Sequence, residues 1–163
     1  MDLIKLLQKE MEEEAVTTRK MLSRVPPEKF DWQPHPKSAT LKWLASHLAE
    51  LPNWIAMALH TDELDFAANP YQLPDVKNTG ELLDFYEASL KTGWEALTNA
   101  DINNFSKEWV LRNGEHILSQ RTKYEVIRMS YCQIVHHRAQ LGVYLRLLDI
   151  PIPGSYGPSA DEY

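Results

Sequence analysis

The sequence is poor in cysteine, in long hydrophobic runs and in basic residues, and each shortage excludes a class of protein. Its one cysteine, Cys132, rules out an internal disulfide and a cysteine-built zinc site, and it favours a reducing cytoplasm. No apolar stretch approaches the ~18 residues of a membrane-spanning helix. The acidic, amphipathic N-terminus does not look like a signal peptide. We therefore expect a cytoplasmic protein without a membrane anchor.

Basic residues are outnumbered by acidic ones. The chain has 17 Lys and Arg against 23 Asp and Glu, a net charge of −6, and no basic stripe. Nucleic-acid binding needs such a stripe to neutralise phosphates, so we expect none. Phosphate-binding glycine loops, the G-x-S-x-G elbow and H-E-x-x-H are also absent from the sequence. These absences leave few motifs with a known chemistry.

The composition is that of an ordinary globular protein. Of the 163 residues, 44% are hydrophobic and 25% are charged. This length is enough to bury a real core without disulfides or structural metals. We predict one domain over residues 1–163.

Four segments carry apolar residues at three- and four-residue steps, which is the spacing of amphipathic helices. Asp2 can cap the first segment, and Ser38 or Thr40 the second; the third starts at Asn78 or Thr79 and the fourth at about Thr122. The first segment ends at Pro26-Pro27, and the last runs to about Leu148. Four long helices predict an all-α four-helix bundle.

The connections between these helices are less regular. Asn113-Gly114, between two β-prone runs, predicts a small β-hairpin at residues 108–118, between the third and fourth helices. Residues 61–77 are rich in proline, asparagine and aspartate and predict a long loop. Connections of this length leave the up-and-down order of the helices open.

Histidine placement is the main chemical signal. His47 borders the apolar stripe of the second helix, and His137 borders that of the fourth. Gln133 lies four residues before His137, on the same helical face. Bundle cores build metal sites from side chains on facing helices. Two imidazoles and one further donor could hold a divalent ion with a position open for water or substrate.

A structural interpretation of the same residues stays open. Inward histidines are often hydrogen-bonded core residues, and a neutral amide such as that of Gln133 is a poor ligand beside an imidazole. His136 points about 100° away from His137, and we expect it to be a surface or flanking residue. We expect Cys132 to be a small buried residue, and no residue can be assigned as a general base. The remaining histidines are expected to be structural or solvated: His35, His60 and His116.

Two blocks of the chain resemble a known family. The blocks are WQPHPKSATLKWLASHLAELPNW and HHRAQLGVYLRLLDIPIPGSYGPSADE. They resemble the DinB-like proteins of the DinB/YfiT superfamily, and the resemblance covers nearly the whole chain. The second block, with the residues just before it, resembles the family motif H-x-x-x-H-R-G-Q. His137 matches the second histidine of that motif, whereas Gln133 replaces the first and Ala139 replaces the glycine.

The resemblance implies a four-helix bundle with an up-down-down-up order. It also implies a divalent metal site of three histidines, often with nickel or zinc, in which His47 and His137 match two positions and Gln133 takes the third. Characterised relatives include S-transferases that use a low-molecular-weight thiol, bacillithiol or mycothiol, and a thiol-dependent maleylpyruvate isomerase. In them the metal is thought to activate the thiol as a thiolate. Homodimers are common in the family.

Two hypotheses of function follow. In the first, the protein is a divalent-metal-dependent enzyme that transfers a low-molecular-weight thiol to a small electrophilic substrate. In the second, it is a non-catalytic dimeric helical bundle with a degenerate metal site, binding a small ligand or a protein partner. We predict that His47 and His137 face each other across the bundle, close enough for one ion to touch both, as the first hypothesis requires.

Overall fold

The computed structural model describes residues 2–162 and contains four long helices. They are α1 (Leu3–Leu22), α2 (Leu41–His60), α3 (Thr79–Thr98) and α4 (Lys123–Leu147). Four side chains of the predicted kind accept a backbone N–H and so start these helices: Asp2, Thr40, Asn78 and Thr122. Short 3₁₀ turns lie at Pro27–Lys29 and Ile102–Asn104. The prediction of a four-helix bundle is confirmed, although Met1 and Tyr163, the ends of the predicted domain, lie outside the described residues.

Helices α1 and α3 pack side by side and run antiparallel. Gln8, near the start of α1, donates a hydrogen bond to Thr98 at the end of α3 (2.9 Å). Arg19, near the end of α1, pairs with Glu87 in the first half of α3. The two contacts lie near opposite ends of α1 and fix the antiparallel direction of the pair.

Helix α4 runs parallel to α1 and antiparallel to α2. Tyr131 donates to the carbonyl of Leu7, and seven residues later Arg138 pairs with Glu14 on α1. Lys123, at the start of α4, donates to carbonyl groups at the end of α2. The order is therefore up-down-down-up, as the family resemblance implies. It makes α2 and α3 parallel neighbours, which is why the connection over residues 61–78 has to be long.

The connecting segments form a small three-stranded sheet. It contains β1 (Glu63–Asp65), β2 (Glu108–Asn113) and β3 (His116–Thr122) in the order β1-β2-β3. The β2–β3 hairpin was predicted, but it reaches Thr122 rather than residue 118. Its two-residue turn is Gly114-Glu115, because Asn113 pairs with His116. Gly114 has φ +61°, a backbone conformation that glycine adopts without strain.

Strand β1 corrects the prediction of a continuous loop over residues 61–77. It pairs in parallel with β2, with Leu64 opposite Leu111. Three residues are too few to display a strand periodicity, so this strand is specified by its partner. The carboxylate of Asp65 accepts the backbone N–H of Gly114 (2.8 Å) and thereby ties β1 to the hairpin turn. In residues 2–162 no helix is long and apolar enough to cross a membrane.

Parallel helices α2 and α3 touch through Pro52 and Gly93. A Cβ atom placed on Gly93 would lie 2.4 Å from the carbonyl oxygen of Pro52, which is far inside van der Waals contact. The α2 backbone would have to move to admit any side chain at this position. Glycine is therefore required here by the close approach of two helices.

Gly93→Ala is expected to lower the free energy of unfolding by about 1–3 kcal/mol, the usual cost of overpacking. Gly142 on α4 is a matched control, since a Cβ there meets only the ends of the Met21 and Ile152 side chains, at ordinary distances of 3.5 and 3.8 Å. Gly142→Ala should leave stability unchanged or raise it by up to about 1 kcal/mol through helix propensity. Urea denaturation of both variants checks the pair, and equal effects would contradict the close helix contact.

Candidate functional site

His47 and His137 come together where α2 and α4 pack antiparallel. Their ring centroids are 4.9 Å apart and the ring planes make an angle of 70°. The His47 side chain is only 13% exposed, and His137 is half-buried. The prediction that the two imidazoles lie close to each other is confirmed.

The Nδ1 atom of His47 is engaged by Tyr71 and Glu50. The phenol oxygen of Tyr71 lies 2.7 Å from Nδ1, and a carboxylate oxygen of Glu50 lies 3.3 Å from it. Tyr71 donates its own proton to Glu50 over 2.5 Å. Burial, reinforced by the bond to Glu50, raises the pKa of Tyr71, so the phenol stays protonated. Since the phenol proton goes to Glu50, His47 carries its proton on Nδ1 and keeps the lone pair on Nε2.

His137 is held in a similar way. Its Nδ1 lies 2.8 Å from the side-chain oxygen of Gln140, an acceptor that also places the proton on Nδ1. Burial lowers the pKa of His137; the bond to Gln140 opposes this shift, and the neighbouring His47 and His136 add to it. Both imidazoles can therefore present a neutral Nε2, which is the form that binds metals.

The third predicted donor is weaker. Gln133 is half-buried on α4, one turn before His137. Within residues 2–162 no group of three or more His, Cys, Asp or Glu side chains is placed to hold a metal ion. His136 is exposed, as predicted, although its ring centroid lies 4.9 Å from that of His137. The structure brings the two imidazoles together, and Gln133 as a further donor stays a prediction.

Three residues around the site were not assigned to it from the sequence. Glu50 lies three residues after His47 on α2, so helical spacing would have found it. Tyr71 comes from the long connection between α2 and α3, where no periodicity points to it. Trp43 is 43% exposed and stacks on His47 with centroids 5.0 Å apart.

The expectation that Cys132 is buried is wrong. It is exposed, whereas the preceding residue, Tyr131, is buried and donates to the carbonyl of Leu7 on α1. The exposed histidines outside the site agree with the prediction that they are solvated: His35, His60 and His116.

Arg138 anchors another face of α4, about 100° around the helix from His137. Its guanidinium pairs with Glu14, donates to Thr18 at 3.1 Å and donates to the hydroxyl of Tyr156 at 3.1 Å. The side chains of Arg138 and Glu14 are only 3% and 13% exposed. This cluster explains two polar positions, Glu14 and Thr18, in the inward stripe of α1. It also sets the rotation of α4 and so helps to aim His137 at α2.

Comparisons with known proteins agree with this architecture. The sequence profile of the DinB family matches residues 2–163. A DinB-like protein from Bacillus subtilis superposes with a TM-score of 0.70 at 13% identity, covering 92% of this chain and 96% of the other. One from Bacillus cereus gives 0.69 at 18% identity, covering 92% and 95%. No protein with a curated description matches the sequence significantly.

An enzyme is among the similar structures. A mycothiol-dependent maleylpyruvate isomerase superposes with a TM-score of 0.60 at 15% identity, covering 85% of this chain and 60% of the isomerase. At these levels of identity the structural likenesses establish the fold and nothing finer.

Proposed function

The protein belongs to the DinB family, and on that basis we propose that it is a divalent-metal-dependent enzyme whose ion, nickel or zinc, is held by His47 and His137. The observation that carries the proposal is the pairing of these imidazoles, each with its Nδ1 proton held by an oxygen acceptor. That arrangement is the usual surroundings of metal-binding histidines, because it orients the ring and leaves Nε2 free. The donor set fits a divalent ion bound by two strong ligands.

Each neighbouring residue has a defined part in this proposal. Tyr71 and Glu50 hold the orientation and tautomer of His47, and Gln140 does the same for His137. Gln133 supplies a weak amide oxygen or holds a water molecule. When bound, the metal ion lowers the pKa of a thiol or water that it contacts, which makes a nucleophile available at neutral pH.

The reaction that we propose is transfer of a low-molecular-weight thiol to a small electrophile. It is supported by family membership and by the shared fold of a mycothiol-dependent isomerase. A thiol needs activation because only a small part of it is thiolate at pH 7. The partly exposed Trp43 over His47 offers an apolar surface beside the reacting position.

Metal binding by protein made without a histidine tag tests this function. We expect one nickel or zinc ion per chain, and we expect His137→Ala to weaken binding at least about tenfold, as loss of a ligand should. His136→Ala is the matched control on the adjacent residue and should leave affinity unchanged. The rate at which the protein conjugates bacillithiol to monochlorobimane should change with metal affinity: we expect the wild-type rate in His136→Ala and a lower rate in His137→Ala. Equal metal affinity in all three would refute the assignment of His137.

A second candidate function rests on Gln133 and on the lack of a three-donor group among the described residues. In it the protein is a non-catalytic dimeric bundle, and the imidazoles are core residues beside a small-ligand or protein-binding surface. A protein that takes up no nickel or zinc under saturating supply, and that forms a dimer in sedimentation equilibrium, would favour this alternative.

A further inference from the structure

A hollow of about 240 Å³ lies next to the histidine pair, between the first half of α2 and residues 73–75. It is lined by two groups of residues: Thr40, Lys42, Trp43 and Ser46 at the start of α2, and Leu73, Pro74 and Asp75 opposite them. Trp43 also stacks on His47, and Ser46 directly precedes His47 in the chain. The hollow and the histidine pair therefore share a wall.

Ser46 has a hydroxyl without a partner. The residue is only 2% exposed, and within residues 2–162 its Oγ is the one buried side-chain polar atom that makes no hydrogen bond. A helical serine can usually satisfy itself on the carbonyl four residues earlier. Ser130 on α4 is equally buried and does so, donating to the carbonyl of Val126 at 3.0 Å.

An unpaired buried hydroxyl costs stability, so its presence in a native structure calls for a reason. Alanine at position 46 would fill the same helical site without that cost. The location beside His47, on the wall of a hollow, supplies a reason: the hydroxyl can pair with a molecule that enters from outside.

The other residues that line the hollow indicate which kind of molecule would fit it. Trp43, Leu73 and Pro74 are apolar, and the indole offers a flat face for stacking. The segment that carries Leu73 and Pro74 is fastened to α2 by an ion pair between Asp75 and Lys42. Asp75 also pairs with Lys77, and Lys42 and Asp75 both line the hollow, so these paired charges lie beside the apolar surface of Trp43, Leu73 and Pro74.

We propose that the hollow is the substrate subsite, and that it receives a small planar apolar group carrying one hydrogen-bonding substituent, which pairs with Ser46. The inference rests on the proposed function in one respect, since it takes the reacting position to be at His47 and His137. It deepens that function by naming the class of electrophile: an aromatic or similarly flat molecule.

Phenol and toluene are suitable probes, because they differ by the hydroxyl that Ser46 would bind. In metal-free protein, the indole N–H signal of Trp43, identified with Trp43→Phe, should shift on titration with phenol. Trp94 is an internal control, since it lines an apolar hollow of similar size, about 210 Å³, between α1 and α3. Equal or larger shifts at Trp94 would mean unselective binding and would overturn the proposal.

The variant Ser46→Ala isolates the hydroxyl. It should weaken phenol about fivefold, the equivalent of one ordinary hydrogen bond, and leave toluene unchanged. Ser130→Ala, the matched buried serine, should change neither affinity. An unchanged ratio of phenol to toluene affinity in Ser46→Ala would refute the role of Ser46. The probes are titrated without metal, so the two proposals can fail separately. Selective phenol binding by a protein that binds no metal would refute the proposed function and support the subsite. Metal binding without selective phenol binding would support the proposed function and refute the subsite.

Discussion

Arg138→Ala is expected to lower the free energy of unfolding by about 3–5 kcal/mol, because it leaves the carboxylate of Glu14 buried without its partner. The two side chains are 3% and 13% exposed, so water reaches the Glu14 carboxylate poorly, and the Tyr156 hydroxyl is left as its side-chain donor. Thr18 and Tyr156 lose hydrogen bonds in the same variant. Guanidinium chloride denaturation, followed by circular dichroism, measures the effect.

Arg146 provides the matched control for Arg138. It lies on the same helix and pairs with Asp161, but its side chain is 46% exposed. Exposed pairs of this kind contribute only about 0.2–1 kcal/mol, so Arg146→Ala should be mild. The double variant Arg138→Met with Glu14→Leu should recover most of the stability, since both buried charges are then gone. If Arg138→Ala and Arg146→Ala cost the same, the Arg138–Glu14 pair is not buried in solution.

Gln133→His is expected to tighten nickel or zinc binding about 10- to 100-fold, as the gain of a strong ligand should. The new imidazole would lie one helical turn before His137 on the same face of α4, which lets both side chains reach one ion. With His47 it would complete a set of three histidines. Isothermal titration of wild type and variant measures the change.

Two controls define the gain in Gln133→His. Cys132→His places an imidazole one residue earlier, on an exposed part of α4, and should leave affinity unchanged. The gain at position 133 should fade below about pH 6, because a metal binds the neutral imidazole and its ordinary pKa is about 6.5. Equal affinities for wild type and Gln133→His would show that position 133 does not face the ion.

The helices were predictable because their signals are local. Each capping residue acts on a backbone N–H within its own first turn, as Thr122 does with Glu125, so the sequence contains both partners. The hairpin was predictable for a similar reason, although its turn lies one residue later than the Asn-Gly pattern indicates. Strand β1 was not predictable, since its hydrogen bonds go to β2, more than forty residues away.

The residues of the candidate site were also predictable only in part. His47 and His137 could be singled out because helical periodicity places each beside an apolar stripe. Tyr71 could not, because its position depends on the path of a long connection rather than on any repeat. The unpaired hydroxyl of Ser46 could not be predicted either, because whether a helical serine finds a hydrogen-bond partner depends on its rotamer and its neighbours.

The sequence by itself determined which segments become helices, where they start, and which faces turn inward, because caps and apolar spacing act over one or two turns. It also placed the two histidines on inward edges. Only the tertiary structure decided that α4 lies antiparallel to α2, which brings their imidazoles within 4.9 Å, and that Tyr71 closes on His47. It likewise decided that Arg138 turns toward Glu14 rather than toward the site. These outcomes depend on packing between segments far apart in the chain, where each contact is possible only once all the helices have taken their places.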